Sequence, residues 1–391
     1  MVRMPGAIAA DSIQLRALGG RLGGARQEYC RYYCRYEVDT APQRERKSRL
    51  RGQDDGRTRG HPAMTRVAVL DDWQAVAQRS ADWSRLAQCA DVVFFEQPFG
   101  GPDAIAQALA EFDILVAMRE RTAFPATLIA RLPRLRMIAL TGSRSWTLDV
   151  GACTARGIVV CNTGGQHSSA ATAELALALL LAAARHLCSA DATIRAGGFQ
   201  SGVAAGAVLE GRTLGVIGLG KIGAKMARYG QALGMQVLAW SQNLTADKAQ
   251  AAGARLVDKA TLLSESDAVT LHVVLSERTR GMLSAQDLAR MKPGAILVNT
   301  SRGPLVDEDA LLERLRAGAL FAALDVYGQE PLPAEHPLRT LPNTVLSPHL
   351  GYCTGEVYAQ FYRESIDNVL NYIDGKPTRM LNPEAFKPGQ R

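Results

Sequence analysis

From Met64 onward, short apolar runs alternate with amphipathic stretches in a regular order. Val67-Ala68-Val69-Leu70 is continuous apolar text ending at Asp71-Asp72, and similar runs follow at Val92–Phe95, Ile114–Ala117, Met137–Leu140 and Ile158–Val160. Runs of this length without polar alternation predict strands buried on both faces, and the stretches between them predict covering helices. From about Ser169 a long Ala/Leu stretch reaches towards residue 195. It is apolar nearly all round, which predicts a helix buried between two domains. A second series starts at Thr213-Leu214-Gly215-Val216-Ile217 and continues at Gln236–Trp240, Ala268–His272, Ala295–Val298, Phe321–Leu324 and Thr344–Leu346. A last amphipathic helix is predicted from about Gly355 to Ile373.

Such alternation implies βαβ units and parallel sheets. The expected fold is α/β, with two doubly wound parallel-sheet domains, the first flavodoxin-like and the second an inserted Rossmann domain. Residues 64–168 and 352–380 are assigned to the first and 169–351 to the second, leaving 381–391 as a tail. Residues 1–63 read differently. They are rich in Arg and Gly, lack apolar periodicity and include the charged run Arg44–Arg51, so a disordered extension outside the fold is expected.

Charge then changes the picture only at that end. The chain of 391 residues has a net charge of +7, but residues 1–63 hold 13 Lys/Arg against 7 Asp/Glu. The rest carries 32 against 31, and a near-neutral body offers no footprint for nucleic acid or a membrane surface. The seven cysteines are scattered, and Cys30 and Cys34 form a C-x₃-C pair with no second pair, so neither zinc nor a disulfide framework is expected. The most apolar run, Leu175–Ala184, is about half of what a membrane span needs, and the first dozen residues lack a signal-peptide core. A cytoplasmic protein is expected.

The candidate chemistry starts at Gly218-Leu219-Gly220-Lys221-Ile222-Gly223, a G-x-G-x-x-G between a predicted strand and a predicted helix. The first glycine permits a tight turn, the second lets backbone approach a pyrophosphate, and the third allows close helix packing at a helix N-terminus with free N–H groups. The next strand ends at Trp240 and leads into Ser241-Gln242-Asn243. A carboxylate there would receive the adenosine ribose of NAD and repel a 2′-phosphate. None is present, and the nearest cation is Lys248, so NAD(H) and NADP(H) both stay open.

Downstream, Arg302 follows one predicted strand, Glu330 another and His349 a third, at the strand ends where open α/β sheets bind ligands. A guanidinium there can grip a carboxylate in bidentate fashion and polarise a 2-oxo oxygen. The imidazole of His349 can give or take the hydroxyl proton, with Glu330 accepting from its other nitrogen and fixing the tautomer.

These segments, with Gly164-Gly165, Ala173-Glu174, Met291-Lys292-Pro293-Gly294-Ala295, Asn299–Gly303, Val306-Asp307, Leu324-Asp325-Val326-Tyr327, Glu330-Pro331 and Pro348-His349-Leu350-Gly351, resemble the D-isomer-specific 2-hydroxyacid dehydrogenases over residues 64–380. That family includes phosphoglycerate, glyoxylate/hydroxypyruvate, D-lactate and formate dehydrogenases or reductases. The resemblance implies NAD(P)-dependent interconversion of a D-2-hydroxy acid and its 2-oxo acid, with Arg302, Glu330 and His349 catalytic. It places the cofactor against Gly218, Gly220, Lys221, Ile222, Gly223, Ser241 and His272, with Thr300 and Asp325 at the nicotinamide carboxamide. The substrate carboxylate would meet the loop containing Ser143 and Arg144. Arg144 stands where many relatives have glycine, and Val274 where they have proline. The segment Met118-Arg119-Glu120-Arg121-Thr122 also follows a first-domain strand and could reach the cleft. A homodimer is implied. The alternative is a nucleotide-sensing, corepressor-like module with the same fold and little turnover.

Overall fold

The computed structural model describes residues 64–387, together with the backbone strand at 47–50. Among the described residues, thirteen strands form two sheets. The first contains β1 (Lys47–Leu50), β2 (Thr65–Val69), β3 (Ala90–Phe95), β4 (Ile114–Ala117), β5 (Met137–Leu140) and β6 (Val159–Asn162) in the order β1-β3-β2-β4-β5-β6. Strands β2 to β6 are parallel, and their order is that of a flavodoxin-like sheet. The second contains β7 (Thr213–Ile217), β8 (Gln236–Trp240), β9 (Arg255–Leu256), β10 (Ala268–Leu271), β11 (Ala295–Asn299), β12 (Leu320–Leu324) and β13 (Thr344–Leu346), ordered β13-β12-β11-β10-β7-β8-β9. That is the doubly wound dinucleotide-binding order extended by one strand. The expected fold class is therefore the observed one.

Both sheets are buried on both faces, which is why their strands read as unbroken apolar runs. Val67 and Val69 point into a core completed by Trp83, Phe94, Phe361, Tyr362 and Val369, whereas Ala68 and Leu70 point into a second core with Leu109, Leu128 and Ile138. The helix Gly355–Ile373 supplies Tyr358, Phe361, Tyr362, Ile366 and Val369 from one face, so the chain's last long helix packs on its first sheet. On the second sheet, Ala173, Ala176, Leu180 and Ala183 of the helix Ser168–Ala184 pack with Met226 and Ala227 of the helix Lys221–Ala232. Ala171 of the same long helix belongs to the first sheet's core, so this helix bridges the two sheets.

Three expectations need correction. The long helix does not run to residue 195: it stops at Ala184, His186 adopts a left-handed conformation, and a separate helix Leu187–Arg195 departs at 67°. The break is stabilised by Ala207, whose amide donates to the Ala184 carbonyl left free at the helix end. Lys47–Leu50, inside the segment expected to lie outside the fold, pairs antiparallel with β3. Any backbone can satisfy an open sheet edge, whatever its charge. The remainder of 1–63 lies outside the described residues. The assigned tail is also partly docked. Asn382 accepts from the Val160 amide and donates to the Ile158 carbonyl and the Thr154 hydroxyl, while the Leu381 amide donates to Val160. These bonds cover the free edge of β6. No single described helix is long and apolar enough to cross a membrane.

At the C-terminal end of β2, buried Asp71 accepts from the Thr122 hydroxyl, tying that strand to the loop after β4. Burial pushes its pKa from 3.8 up to about 6, opposed by Thr122 and the Arg121 charge. The folded state therefore holds this proton more tightly than the unfolded chain does. Stability from the group is full below pH 4 and is lost as pH rises from about 4 to about 6, by about 3 kcal/mol in total. Asp71→Asn is expected to remove that slope and to melt higher than the parent at pH 8. Denaturant titrations at pH 4 and pH 8 check this, and an unchanged slope in the variant would refute it.

Candidate functional site

The glycine turn joins β7 to the helix Lys221–Ala232. Gly218 has φ 93°, and a Cβ there would lie 2.5 Å from the His272 carbonyl oxygen, so only glycine fits. A Cβ on Gly223 would collide with the Gly218 carbonyl, whereas the space above Gly220 is open. No side chain caps this helix at Gly220, so its first amides are free to receive a diphosphate. The turn opens into a cleft of about 680 Å³ whose far wall is Ser241, Gln242 and Asn243, with Lys248, Lys259 and Arg278 also lining it. The geometry fits a dinucleotide. Lys221 is exposed and Ile222 half-buried at the helix start.

His272, just past β10, shares a hydrogen with the Thr270 hydroxyl at 2.8 Å, and its Nδ1 is buried without a partner. Burial depresses its pKa to about 3, so the ring is neutral at physiological pH. The Thr300 hydroxyl is likewise buried and unpartnered. Both orphaned atoms lie on the loops expected to face a cofactor.

Three strand-end loops carry the remaining chemistry. After β11, the Asn299 side chain accepts from the Ser301 amide and donates to the Arg302 carbonyl, while the Ser301 hydroxyl donates to the Leu271 carbonyl. This clamp fixes the backbone of Arg302. Next to it, a Cβ on Gly303 would occupy the space of the Tyr327 carbonyl, so the Arg302 loop is pressed against the loop after β12. That second loop carries Glu330, whose Oε1 accepts from the Tyr327 amide.

The third loop follows β13 and carries His349 in a left-handed conformation, φ 56°. Glu330 Oε2 meets His349 Nδ1 at 2.5 Å, the contact anticipated from sequence. Burial works against the Glu330 charge, but the His349 hydrogen bond and charge, the Tyr327 amide and the Arg302 charge together hold its pKa below the usual value. Asp325 was expected at the carboxamide. Its carboxylate accepts from the Ser347 hydroxyl and from the amides of Leu350 and Gly351, and its own carbonyl accepts from the His349 amide. Burial is the largest influence on this carboxyl and pushes its pKa up despite those donors and the nearby His349. As observed, Asp325 shapes the His349 loop.

The first domain reaches this centre through the loop after β4. Glu120 Oε1 accepts from Arg302 Nη2 at 2.9 Å, a contact between the two domains. Its Oε2 is buried without a hydrogen bond, 3.5 Å from Arg119 Nε. The Arg119 guanidinium lies over the Tyr352 ring at 5.1 Å, and the His349 ring meets Tyr352 edge-on with centroids 6.0 Å apart. Six side chains thus form an open ring linked by five contacts, in the order Arg302, Glu120, Arg119, Tyr352, His349 and Glu330. Sequence reasoning singled out residues 118–122 but not Glu120 as the partner of Arg302, and it did not find Tyr352. The alternating charges Arg119-Glu120-Arg121 after a strand were the available signal. Arg121 turns away from Arg302, donating to the Asp71 carbonyl and lying between Trp73 and Tyr352. Ser143 and Arg144 are both exposed; the Ser143 carbonyl accepts from the Asn162 side chain.

Comparison with known proteins agrees with this architecture. Residues 177–351 match the model of the D-isomer specific 2-hydroxyacid dehydrogenase NAD binding domain. The chain is 38% identical to a D-3-phosphoglycerate dehydrogenase of Archaeoglobus fulgidus over 70% of its own length, spanning 52% of that relative. It is also 38% identical to a glyoxylate reductase of Aeropyrum pernix over 67% of its length and 81% of the relative. The structure of a phosphoglycerate oxidoreductase from Vibrio cholerae superposes with a TM-score of 0.76 at 39% identity, covering 80% of this chain and 99% of that one. A glycine turn suited to NAD(H) or NADP(H), set beside an ordered run of strand-end loops, agrees with these matches, and the chain belongs to the D-isomer-specific 2-hydroxyacid dehydrogenase family.

Proposed function

We propose that the protein is an NAD(P)-dependent oxidoreductase that interconverts a small D-2-hydroxy acid and its 2-oxo acid. The observation that carries this reading is the 2.5 Å pair between Glu330 and His349, set in one ring with Arg302 beside a cleft suited to a dinucleotide. With Nδ1 engaged by Glu330, the Nε2 of His349 is the atom left to exchange a proton with the C2 oxygen. Because Glu330 is held ionised, it supports the positive charge that the imidazole carries while protonated. Arg302 uses one N–H on the Ser301 carbonyl and one on Glu120, so three of its five donors remain for the carboxylate and the C2 oxygen of the substrate. Held in the cleft at Gly218, Gly220 and the start of the helix Lys221–Ala232, a nicotinamide cofactor would supply or accept the hydride at C2. Closure of the two domains would keep water from that path.

The ribose wall favours NADP(H). It has no carboxylate to repel a 2′-phosphate, and two of its cations, Lys248 and Arg278, are exposed at the cleft. The third, Lys259, is already paired with Asp287 at 2.8 Å. We also read the protein as a homodimer. Leu187, Ile194, Phe199 and Val208 stand exposed along the segment that follows the broken helix, Phe199 by 72% and Val208 by 73%. A second copy would cover them.

His349→Ala is expected to lower kcat by about 10²- to 10⁴-fold in a 2-oxo acid panel while cofactor binding persists. Undiminished turnover would remove His349 from the reaction. In fluorescence titrations, Lys248→Ala and Arg278→Ala should each weaken NADPH by roughly fivefold, the worth of an exposed ion pair, and leave NADH unchanged. Equal losses for both cofactors would argue against a 2′-phosphate site. Sedimentation of the parent should give a dimer and that of Phe199→Glu a smaller species; a monomeric parent would refute the assembly.

A further inference from the structure

We propose that Glu120 is a specificity-determining and positioning residue: it holds Arg302 in place and restricts the site to 2-oxo acids whose tail carries no second negative charge. The inference rests on the proposed reaction for the identity of the substrate, and on geometry for the role of Glu120. Among the described residues, Arg119 and Arg302 are the guanidiniums that Glu120 meets, and each would otherwise be available to a phosphate or a second carboxylate. Glu120 lies between them, accepting from Arg302 Nη2 at 2.9 Å and facing Arg119 Nε at 3.5 Å. Its side chain is only 11% exposed, so water screens its charge poorly. A second anion placed against either arginine would meet a carboxylate already there, without enough free cation to offset the repulsion.

The remaining cation on the substrate loop, Arg144, is exposed to solvent rather than joined to this ring. By contrast, a tail bearing a hydroxyl brings a donor, and Glu120 Oε2 is a buried acceptor without a hydrogen bond. Satisfying that oxygen would favour such a tail. An uncharged tail with no donor would be accepted, but more weakly. Glu120 therefore acts twice. Its hydrogen bond aims the Arg302 fork, and its charge sorts the tails.

Two substitutions separate these parts. Glu120→Gln keeps a carbonyl that can accept from Arg302 but loses the charge, whereas Glu120→Ala loses both. D-glycerate and 3-phospho-D-glycerate form a matched pair of probes that differ in one phosphate. Their affinities for the full-length, NADPH-loaded protein can be measured by calorimetry, with turnover of the corresponding 2-oxo acids followed in parallel. The parent should bind D-glycerate more tightly than its phosphorylated form. Glu120→Gln should shift the ratio of the two affinities by about tenfold towards the phosphorylated acid, the scale of losing one partly screened like charge. Glu120→Ala should show the same shift with a lower kcat than Glu120→Gln, because Arg302 is no longer held. A parent that prefers the phosphorylated acid, or a ratio that stays within twofold in Glu120→Gln, overturns the proposal. A ratio that shifts as expected in a protein without turnover supports the role of Glu120 and overturns the oxidoreductase reading instead.

Discussion

The Asp325 carboxylate is buried at the end of β12, where an unpaired charge or an unmet lone pair would cost several kcal/mol. It is tolerated because the Ser347 hydroxyl and the amides of Leu350 and Gly351 all donate to it. Those three donors belong to the loop that carries His349, so satisfying the carboxylate forces the loop to wrap around it. The left-handed backbone of His349 is a consequence, because a chain that turns this tightly has few other conformations. The neighbouring loops are set by the same logic. Tyr327 gives its hydroxyl to the Ser347 carbonyl and its amide to Glu330, and Gly303 allows the Arg302 loop to press against its backbone. One buried anion and one missing side chain thus bring three sequence-distant groups to one place.

Much of the fold was legible because it depends on burial. Strands covered on both faces appear as unbroken apolar runs, and all eleven expected strands are present. The two that were missed, β1 and β9, lie at sheet edges, where backbone pairing contributes more than side-chain burial. The break at His186 was hidden for a related reason: an Ala/Leu stretch has the same composition whether it stays straight or bends at a capped end. At the site, Arg302, Glu330 and His349 were readable by type and by position at strand ends. Glu120 was not, since its role depends on an approach between two domains that no local pattern records. Asp325 illustrates the opposite limit, for the residue was singled out from the sequence but its bonds to the His349 loop were not foreseen.

The location of Glu120 also clarifies how the two domains cooperate. The Glu330–His349 pair and Arg302 all come from loops of the second sheet, and within that domain they are already mutually arranged. The first domain adds Glu120 and Arg119 from one loop after β4, and Tyr352 links Arg119 to His349 where the chain returns towards the first sheet. Besides the helix Ser168–Ala184, contact between the domains is therefore made by charged and aromatic groups beside Arg302 and His349.

This arrangement has a bearing on how such a protein can change through descent. Under the proposed function, the proton-handling groups sit in one half of the molecule, locked by buried bonds that tolerate little variation. The groups that would sense the rest of the substrate sit in the other half, on loops joined to a separately packed sheet. A lineage could redraw those loops repeatedly, trading one acid for another, while inheriting the Glu330–His349 pair intact.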